Sequence, residues 1–170
     1  MTTGPKFTHY AGFQGAVAGR NMLLPVGKGS GHEDILPWVT FTEPEVAHVG
    51  MTEAQAREKH GDAVKVYTFP IDEGDRAVAE RDTEGFVKLV YKGSGDLLGA
   101  TVVAERAGEM IIEYSLVISG KLSARSLIGV IHPYPTYSDI AKKALSNLVV
   151  KELLNGTAGK ALKAVVKLLP

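Results

Sequence analysis

Apolar side chains recur along this chain at two different spacings, and the spacing changes from one element to the next. Between Ser138 and Asn155 they return every three or four residues, which predicts a long amphipathic helix that Gly156 ends. Between Gly85 and Lys92, and again between Leu97 and Ala104, β-type runs predict two strands of a hairpin. The predicted helix has one broad apolar face, made of Ile140, Ala141, Ala144, Leu145, Leu148, Val149 and Leu153.

Shorter segments predict the remaining elements. Thr52 is suited to cap a helix that runs to about His60, where Gly61 stops it. A few strands followed by helices indicate an α+β fold, a small antiparallel sheet covered by helices on one side. The other predicted elements are a glycine-weakened helix within Met1–Leu24, a loop at Val26–Asp34, strands at Pro37–Thr42 and Ala63–Pro70, a turn at Thr42–Glu45, and helices at Glu109–Ser119 and Ser123–Ile128.

Composition narrows the class of protein. With 170 residues the chain is expected to form one globular domain with an attached arm. Lys plus Arg equals Asp plus Glu, 19 each, so no basic surface for nucleic acid is predicted. No apolar run approaches the ~20 residues that span a bilayer, and no signal peptide is recognisable. The absence of cysteine fits a reducing cytoplasm and means that this chain cannot itself perform thiol–disulfide chemistry.

A glycine-rich run at Gly93-Ser94-Gly95-Asp96-Leu97-Leu98-Gly99 resembles a dinucleotide loop at first. A phosphate-binding loop needs a helix N-terminus after it, and the residues that follow are of β type. We therefore interpret this run as a hairpin turn.

Two further groups of polar residues are given structural interpretations. Glu109 and Glu113 lie one helical turn apart, and we expect a solvated helix face there, because Met110, Ile111 and Ile112 between them have the character of core. The five histidines show no metal-ligand spacing, so no metal site is predicted.

The segment His132-Pro133-Tyr134-Pro135-Thr136-Tyr137-Ser138-Asp139 precedes the long helix. Thr136 is suited to cap that helix, and Asp139 occupies the capping-box position, where a carboxylate also favours the positive helix end. From the residues alone, the simplest interpretation is a helix entry with packing aromatics.

The same segment resembles the pattern His-x-His-Pro-Thr-x-Ser-Glu of the FAD-dependent pyridine nucleotide–disulfide oxidoreductases, which include the dihydrolipoamide dehydrogenase and mercuric reductase branches. Three further segments resemble this family, in family order and at family spacing, over Pro37 to Gly156. They are Phe41–Glu53, which resembles Phe-Thr-Asp-Pro-Glu-x-Ala-x-Val-Gly-x-Thr-Glu, Gly85–Val90, and Ala107–Ile111.

The resemblance implies a domain organisation. Residues 1–34 would be a remnant of the FAD domain, 35–156 the dimerisation domain and 157–170 an amphipathic tail. That tail would pack on its own fold or a partner subunit, or lie on a membrane surface. Thr8, His9, Tyr10 and Ala11 would approach the flavin through backbone N–H groups. The upstream FAD and NAD(P) domains and the redox cysteines would precede position 1, so FAD and NAD(P)H are expected in the intact enzyme and no cofactor on this chain alone.

One position departs from the family's chemistry. Where the family has an acid–base His, this chain has Tyr134, as in the mercuric reductase branch. A phenol, with pKa ~10, is a poor base at neutral pH but can donate a hydrogen bond. By resemblance, Tyr134 would reach the redox thiols of the partner subunit in a homodimer, with Asp139 orienting its neighbours and His132 as a weaker candidate beside it. The mercuric reductase branch also carries a C-terminal cysteine pair, and here the chain ends Lys167-Leu168-Leu169-Pro170, which argues against mercuric ion reduction.

Two functions therefore stand at this point. The first is the dimerisation domain of a cytoplasmic, mercuric-reductase-like FAD-dependent NAD(P)H oxidoreductase, whose 170 residues are inactive alone. The alternative is a free-standing dimerisation or regulatory module without catalysis. Met1 would be a cloning start, a miscalled gene start or the start of a split gene.

Overall fold

The computed structural model describes residues 4–24, 26–31, 33–93, 95–157 and 159–160. Its centre is a five-stranded antiparallel sheet in the order β1-β2-β5-β4-β3. The strands are β1 Trp38–Thr40, β2 Glu45–Gly50, β3 Val64–Pro70, β4 Phe86–Lys92 and β5 Asp96–Ala104. The helices are α1 Thr8–Leu23, α2 Glu53–His60, α3 Asp75–Glu80, α4 Ala107–Ile118, α5 Ala124–Ile128 and α6 Tyr137–Asn155, with short 3-10 turns at Gly61–Ala63 and Ile71–Glu73.

The main core lies between the sheet and the helices α4 and α6. Strand residues such as Leu89 and Val102 are fully buried there against Met110 and Leu145. Tyr114 is also fully buried, and its hydroxyl donates to the Ala141 carbonyl at 2.9 Å, which joins α4 to α6 without leaving a buried polar group unpaired. The predicted α+β class, with a small antiparallel sheet covered by helices, is confirmed, but the expectation that helices cover one side alone is wrong, because α2 packs on the opposite face.

A second, smaller cluster joins α2 to the sheet through Ala56, Val64 and Val90. Because successive strand residues point to opposite faces, Val90 lies on the face opposite Leu89. The helix begins as predicted: the Thr52 hydroxyl accepts from Gln55 N at 3.3 Å, and the Gln55 side chain accepts from Thr52 N at 2.9 Å. Gly61, with φ of 57°, ends it.

The hairpin prediction is confirmed. Strands β4 and β5 pair from Phe86 opposite Val103 to Lys92 opposite Asp96. The glycine-rich run leads into strand β5 and not into a helix N-terminus, so it belongs to the hairpin and not to a phosphate-binding loop. Gly99 on β5 leaves no room for a side chain, because a Cβ there would lie 1.9 Å from the Met51 carbonyl oxygen.

Two elements were missed by the sequence analysis. Strand β2 lies between β1 and β5, but its residues Glu45–Gly50 alternate His and Gly with apolar side chains and carry no long apolar run. Helix α3 is only six residues long, and Gly74 precedes it without a side-chain cap. An element this short has too few turns for a helical period to be visible.

The apolar face predicted for α6 is largely buried within the chain. Five of its seven apolar positions, Ile140, Ala141, Ala144, Leu145 and Leu148, are buried within the chain, whereas Leu153 is half exposed. This face is therefore used largely within the chain's own core, where α6 packs mainly on α4 and α5.

The N-terminal helix is present, and Tyr10 is its one buried residue. The predicted tail at 157–170 lies almost wholly outside the described residues. Within the part of the chain that the structure describes, no helix is long and apolar enough to cross a membrane.

Candidate functional site

The segment between α5 and α6 is held at the α6 N-terminus. The Thr136 hydroxyl accepts from Asp139 N at 3.1 Å and donates to the Pro133 carbonyl at 2.8 Å. The predicted cap by Thr136 is confirmed. The second half of a capping box, a hydrogen bond from Thr136 N to the Asp139 carboxylate, is not found among the described residues. The peptide bond between Tyr134 and Pro135 is cis.

Tyr134 projects from this segment, with 69% of its surface exposed. Its hydroxyl donates to Asp75 Oδ2, on the first residue of α3, at 2.5 Å. This hydrogen bond and the charge of Asp75 raise the pKa of Tyr134 above its ordinary value, and the charge of Asp139 adds to the effect. Tyr134 is therefore a protonated phenol at neutral pH, and it cannot act as the base that a histidine would be.

His132 is bonded to α4, whereas Tyr134 is bonded to α3. Its Nε2 lies 3.0 and 3.1 Å from the two carboxylate oxygens of Glu113, and its Nδ1 lies 3.0 Å from the Val130 carbonyl. Since a carbonyl oxygen only accepts, Nδ1 donates to Val130, and Nε2 is the ring nitrogen that pairs with the carboxylate. Only 7% of the His132 side chain and 13% of the Glu113 side chain are exposed.

Glu113 was expected on a solvated helix face, and this expectation is wrong. Burial raises the pKa of the Glu113 carboxyl, and the imidazole of His132, with smaller effects from Ser138 and Lys142, opposes that rise. Helical spacing puts Glu113 on the same face of α4 as the exposed Glu109. What covers Glu113 is the segment before α6, which is distant in the sequence. Ile112 was expected in the core and is instead 51% exposed.

Tyr137, like Tyr134, donates its hydroxyl hydrogen bond to an aspartate carboxylate. Its hydroxyl donates to Asp82 Oδ2 at 3.0 Å, just beyond the C-terminal end of α3. Partial burial, followed by this hydrogen bond, raises the pKa of Tyr137 to about 12. A polar cavity of about 420 Å³ lies beside it, lined by Arg76, Glu80, Asp82, Glu105, Arg106, Pro135, Thr136 and Tyr137.

The three residues predicted to act together are thus only partly brought together. The charge of Asp139 acts on Tyr134, while the side chain of His132 is bonded to Glu113 on α4. The residue that does bind Tyr134 is Asp75. Sequence analysis could not find it, because Asp75 belongs to the unpredicted helix α3, 59 positions away in the chain.

The four residues expected near a flavin form the first turn of α1. The N–H groups of Thr8, His9 and Tyr10 belong to the helix N-terminus, where backbone donors have no intrahelical partner. The N–H of Ala11 donates to the Phe7 carbonyl at 2.9 Å and is already used. The Tyr10 side chain is buried, and His9 Nε2 donates to the Pro37 carbonyl at 2.9 Å.

A mainly apolar cleft of about 460 Å³ adjoins this turn and reaches Trp38, Phe41 and Ile112. Backbone donors beside an apolar, aromatic-lined cleft fit contact with one end of a flat ring system. The residues that the structure describes contain no group of three or more His, Cys, Asp or Glu that could hold a metal ion.

Comparisons with known proteins agree on the family. Residues 36–145 match the family model for the pyridine nucleotide-disulphide oxidoreductase, dimerisation domain. The chain is 38% identical over 146 residues to a mercuric reductase of Bacillus cereus, covering 85% of this chain and 23% of that protein. It is 36% identical over 143 residues to a dihydrolipoyl dehydrogenase of Bacillus subtilis, covering 83% of this chain and 30% of that protein.

The fold is also similar to solved structures. The HOCl-induced flavoprotein disulfide reductase RclA from Escherichia coli matches with a TM-score of 0.75 and 30% identity, over 84% of this chain and 33% of that one. The chain therefore spans between about a quarter and a third of the length of these relatives. Since the matched segment contains all five strands, helices α2 to α5 and the first half of α6, this chain belongs to the dimerisation-domain family of the pyridine nucleotide-disulphide oxidoreductases.

Proposed function

We propose that this chain is the dimerisation domain of a FAD-dependent NAD(P)H oxidoreductase of mercuric-reductase-like type. In this proposal, residues 1–34 belong to the FAD domain, 35–156 form the dimerisation domain and 157–170 form a tail, with FAD and NAD(P) domains upstream. Two such chains form a homodimer in the cytoplasm. Each gives Tyr134 to the redox-thiol site of its partner.

The observation that carries the proposal is the placement of Tyr134. An aromatic side chain that only packed a helix entry would be buried, yet Tyr134 is exposed while its hydroxyl is fixed by a carboxylate. A side chain held in one orientation on a surface is suited to meet a group from another molecule. The family description, a dimerisation domain, supplies that second molecule.

The neighbouring residues support Tyr134 in different ways. Asp139 lies in the first turn of α6 and places negative charge near the phenol. His132 and Glu113 anchor the preceding residues to α4, so the segment that carries Tyr134 is fastened at both ends. His132 is thus a positioning residue in this proposal.

FAD, when bound, supplies the transfer of electrons from the nicotinamide to the thiols. This chain's part would be to meet one end of the flavin with the backbone N–H groups of Thr8, His9 and Tyr10. The apolar cleft beside them, which includes Trp38 and Phe41, would exclude water there.

The test is turnover of the enzyme that contains this domain, measured as NAD(P)H-dependent disulfide reduction. Tyr134→Phe is expected to lower turnover by about 10- to 100-fold, because it removes one hydrogen-bonding hydroxyl from the reacting site. Tyr137→Phe is the matched control, since it removes a hydroxyl from the same segment. Equal rates for wild type and Tyr134→Phe would exclude Tyr134 from the chemistry.

A further inference from the structure

The geometry points to Asp75 as the residue that positions the Tyr134 hydroxyl, so that the phenol oxygen faces the proposed site as a hydrogen-bond acceptor. This inference rests on the proposed function for the site that Tyr134 enters. It assigns a role to Asp75, and it names the class of group that Tyr134 can meet there.

A phenol has a single O–H donor. That proton lies on the 2.5 Å hydrogen bond to Asp75 Oδ2, a charge-assisted bond of the short and strong kind. The Tyr134 oxygen can therefore still accept a hydrogen bond. It could donate one to a partner group only if its hydroxyl first left the Asp75 carboxylate.

The backbone fixes the distance between the two residues. Gly74, the residue before α3, is buried against Ile140 on α6 so closely that a Cβ there would lie 2.3 Å from the Ile140 side chain. Lys143 Nζ, also on α6, donates to the Glu73 carbonyl at 2.5 Å. The start of α3 is therefore fastened to the same helix that Tyr134 precedes.

The other end of α3 is fastened as well. Tyr137 binds Asp82 there, so two tyrosines of one segment are bonded to carboxylates at the two ends of one short helix. The backbone that carries Asp75 is thus fixed at both ends of α3, and Asp75 positions the phenol although both side chains lie at the surface.

The charges around the phenol set the class of ligand. Asp75 and Asp139 are both acidic, and both act on Tyr134. An anionic group such as a thiolate would meet an acceptor backed by negative charge, which is unfavourable. A neutral thiol, whose S–H can donate, or a cationic substrate is favoured instead.

The pairing is tested on the 170-residue chain by NMR titration of tyrosines labelled with ¹³C at Cζ, with Tyr134→Phe to assign the signal. Asp75→Asn is expected to lower the pKa of Tyr134 towards its ordinary value, and Asp72→Asn, the same charge change three positions earlier, is expected to lower it less. Equal shifts in the two variants would overturn the pairing.

The role of the pairing is tested on the enzyme that contains this domain, with cystamine as a cationic disulfide and 5,5′-dithiobis(2-nitrobenzoate) as an anionic one. Asp75→Ala is expected to reduce the preference in kcat/KM for cystamine by about threefold relative to Asp72→Ala, the scale of one exposed charge interaction. An unchanged preference overturns the inference. An enzyme that reduces neither disulfide contradicts the proposed function instead, and the NMR titration then decides on Asp75 alone.

Discussion

Glu113 and His132 form a nearly buried pair in which one imidazole nitrogen lies within 3.1 Å of both carboxylate oxygens. The pair joins the middle of α4 to the segment that carries Tyr134. The hydrogen bonds between Glu113 and His132 give both polar groups a partner away from water, where an unpaired polar group is costly.

Removing one member of this pair should be costly. Glu113→Ala leaves a buried imidazole without its partner and is expected to lower the free energy of unfolding by about 2–4 kcal/mol. Urea denaturation of Glu113→Ala, His132→Ala and the double variant measures the coupling, expected at about 1–3 kcal/mol. Glu109→Ala, at an exposed position of the same helix, is the control, with an expected change within about 0.5 kcal/mol. Additive effects of Glu113→Ala and His132→Ala would contradict the pairing.

His48 should make the stability of the domain fall in mild acid. Burial lowers the pKa of His48, so the folded state favours the neutral ring, with Nε2 donating to the Gly50 carbonyl and Nδ1 accepting from the Thr101 hydroxyl. The stability from this group is complete above the ordinary pKa of 6.5 and is lost as pH falls through the lower, folded-state value. Between pH 7 and pH 5 the unfolding free energy of the wild type is expected to fall more steeply than that of His48→Gln. Parallel pH profiles would show that His48 does not contribute.

Gly99 should be intolerant of any side chain. A Cβ at this position would lie 1.9 Å from the Met51 carbonyl oxygen, which is backbone and cannot turn aside. Gly99→Ala is expected to lower the free energy of unfolding by about 1–3 kcal/mol, the usual cost of overpacking. Gly15→Ala is the matched control, because nothing lies within 4 Å of its added Cβ and alanine favours a helix, so it should be neutral or stabilise by up to about 1 kcal/mol. Similar thermal midpoints for the two variants would be inconsistent with the close approach.

The isolated chain is expected to form a homodimer, as the family description of the domain implies. The interface should bury on the order of 2,000 Å² or more in total, as lasting dimers do. Ile131 is 93% exposed and lies beside the segment that carries Tyr134, so Ile131→Asp should weaken the dimer by placing a charge at the interface. Val26→Asp, at a residue 77% exposed in the loop after α1, should leave it intact. Sedimentation equilibrium at tens of micromolar decides between these outcomes, and a wild-type monomer would oppose the expectation.

The sequence predicted those parts of the fold that carry a repeated local signal. The period of α6, the caps at Thr52 and Thr136 and the pairing of β4 with β5 all depend on residues close together in the chain, and the structure contains each of them. Strand β2 and helix α3 are short, and their conformation depends on neighbours that are distant in the sequence. The same dependence on distant residues limited what the sequence could predict of the candidate site. Tyr134 was found from a family pattern, whereas its partner Asp75 is reached only once α3 has been placed.

Helix α1 contributes little to the core, so it should be the part of the chain that limited proteolysis removes first. Among the described residues before position 35, Tyr10 is the one buried hydrophobic side chain, while the other buried hydrophobic residues come from the sheet and the helices that follow it in the chain. A protease that cuts the exposed connection near Lys28 should therefore release the first helix and leave a resistant fragment. The fragment would keep its thermal midpoint nearly unchanged, since the sheet, its two covering helices and the paired residues at Tyr134 and His132 all lie beyond the cut.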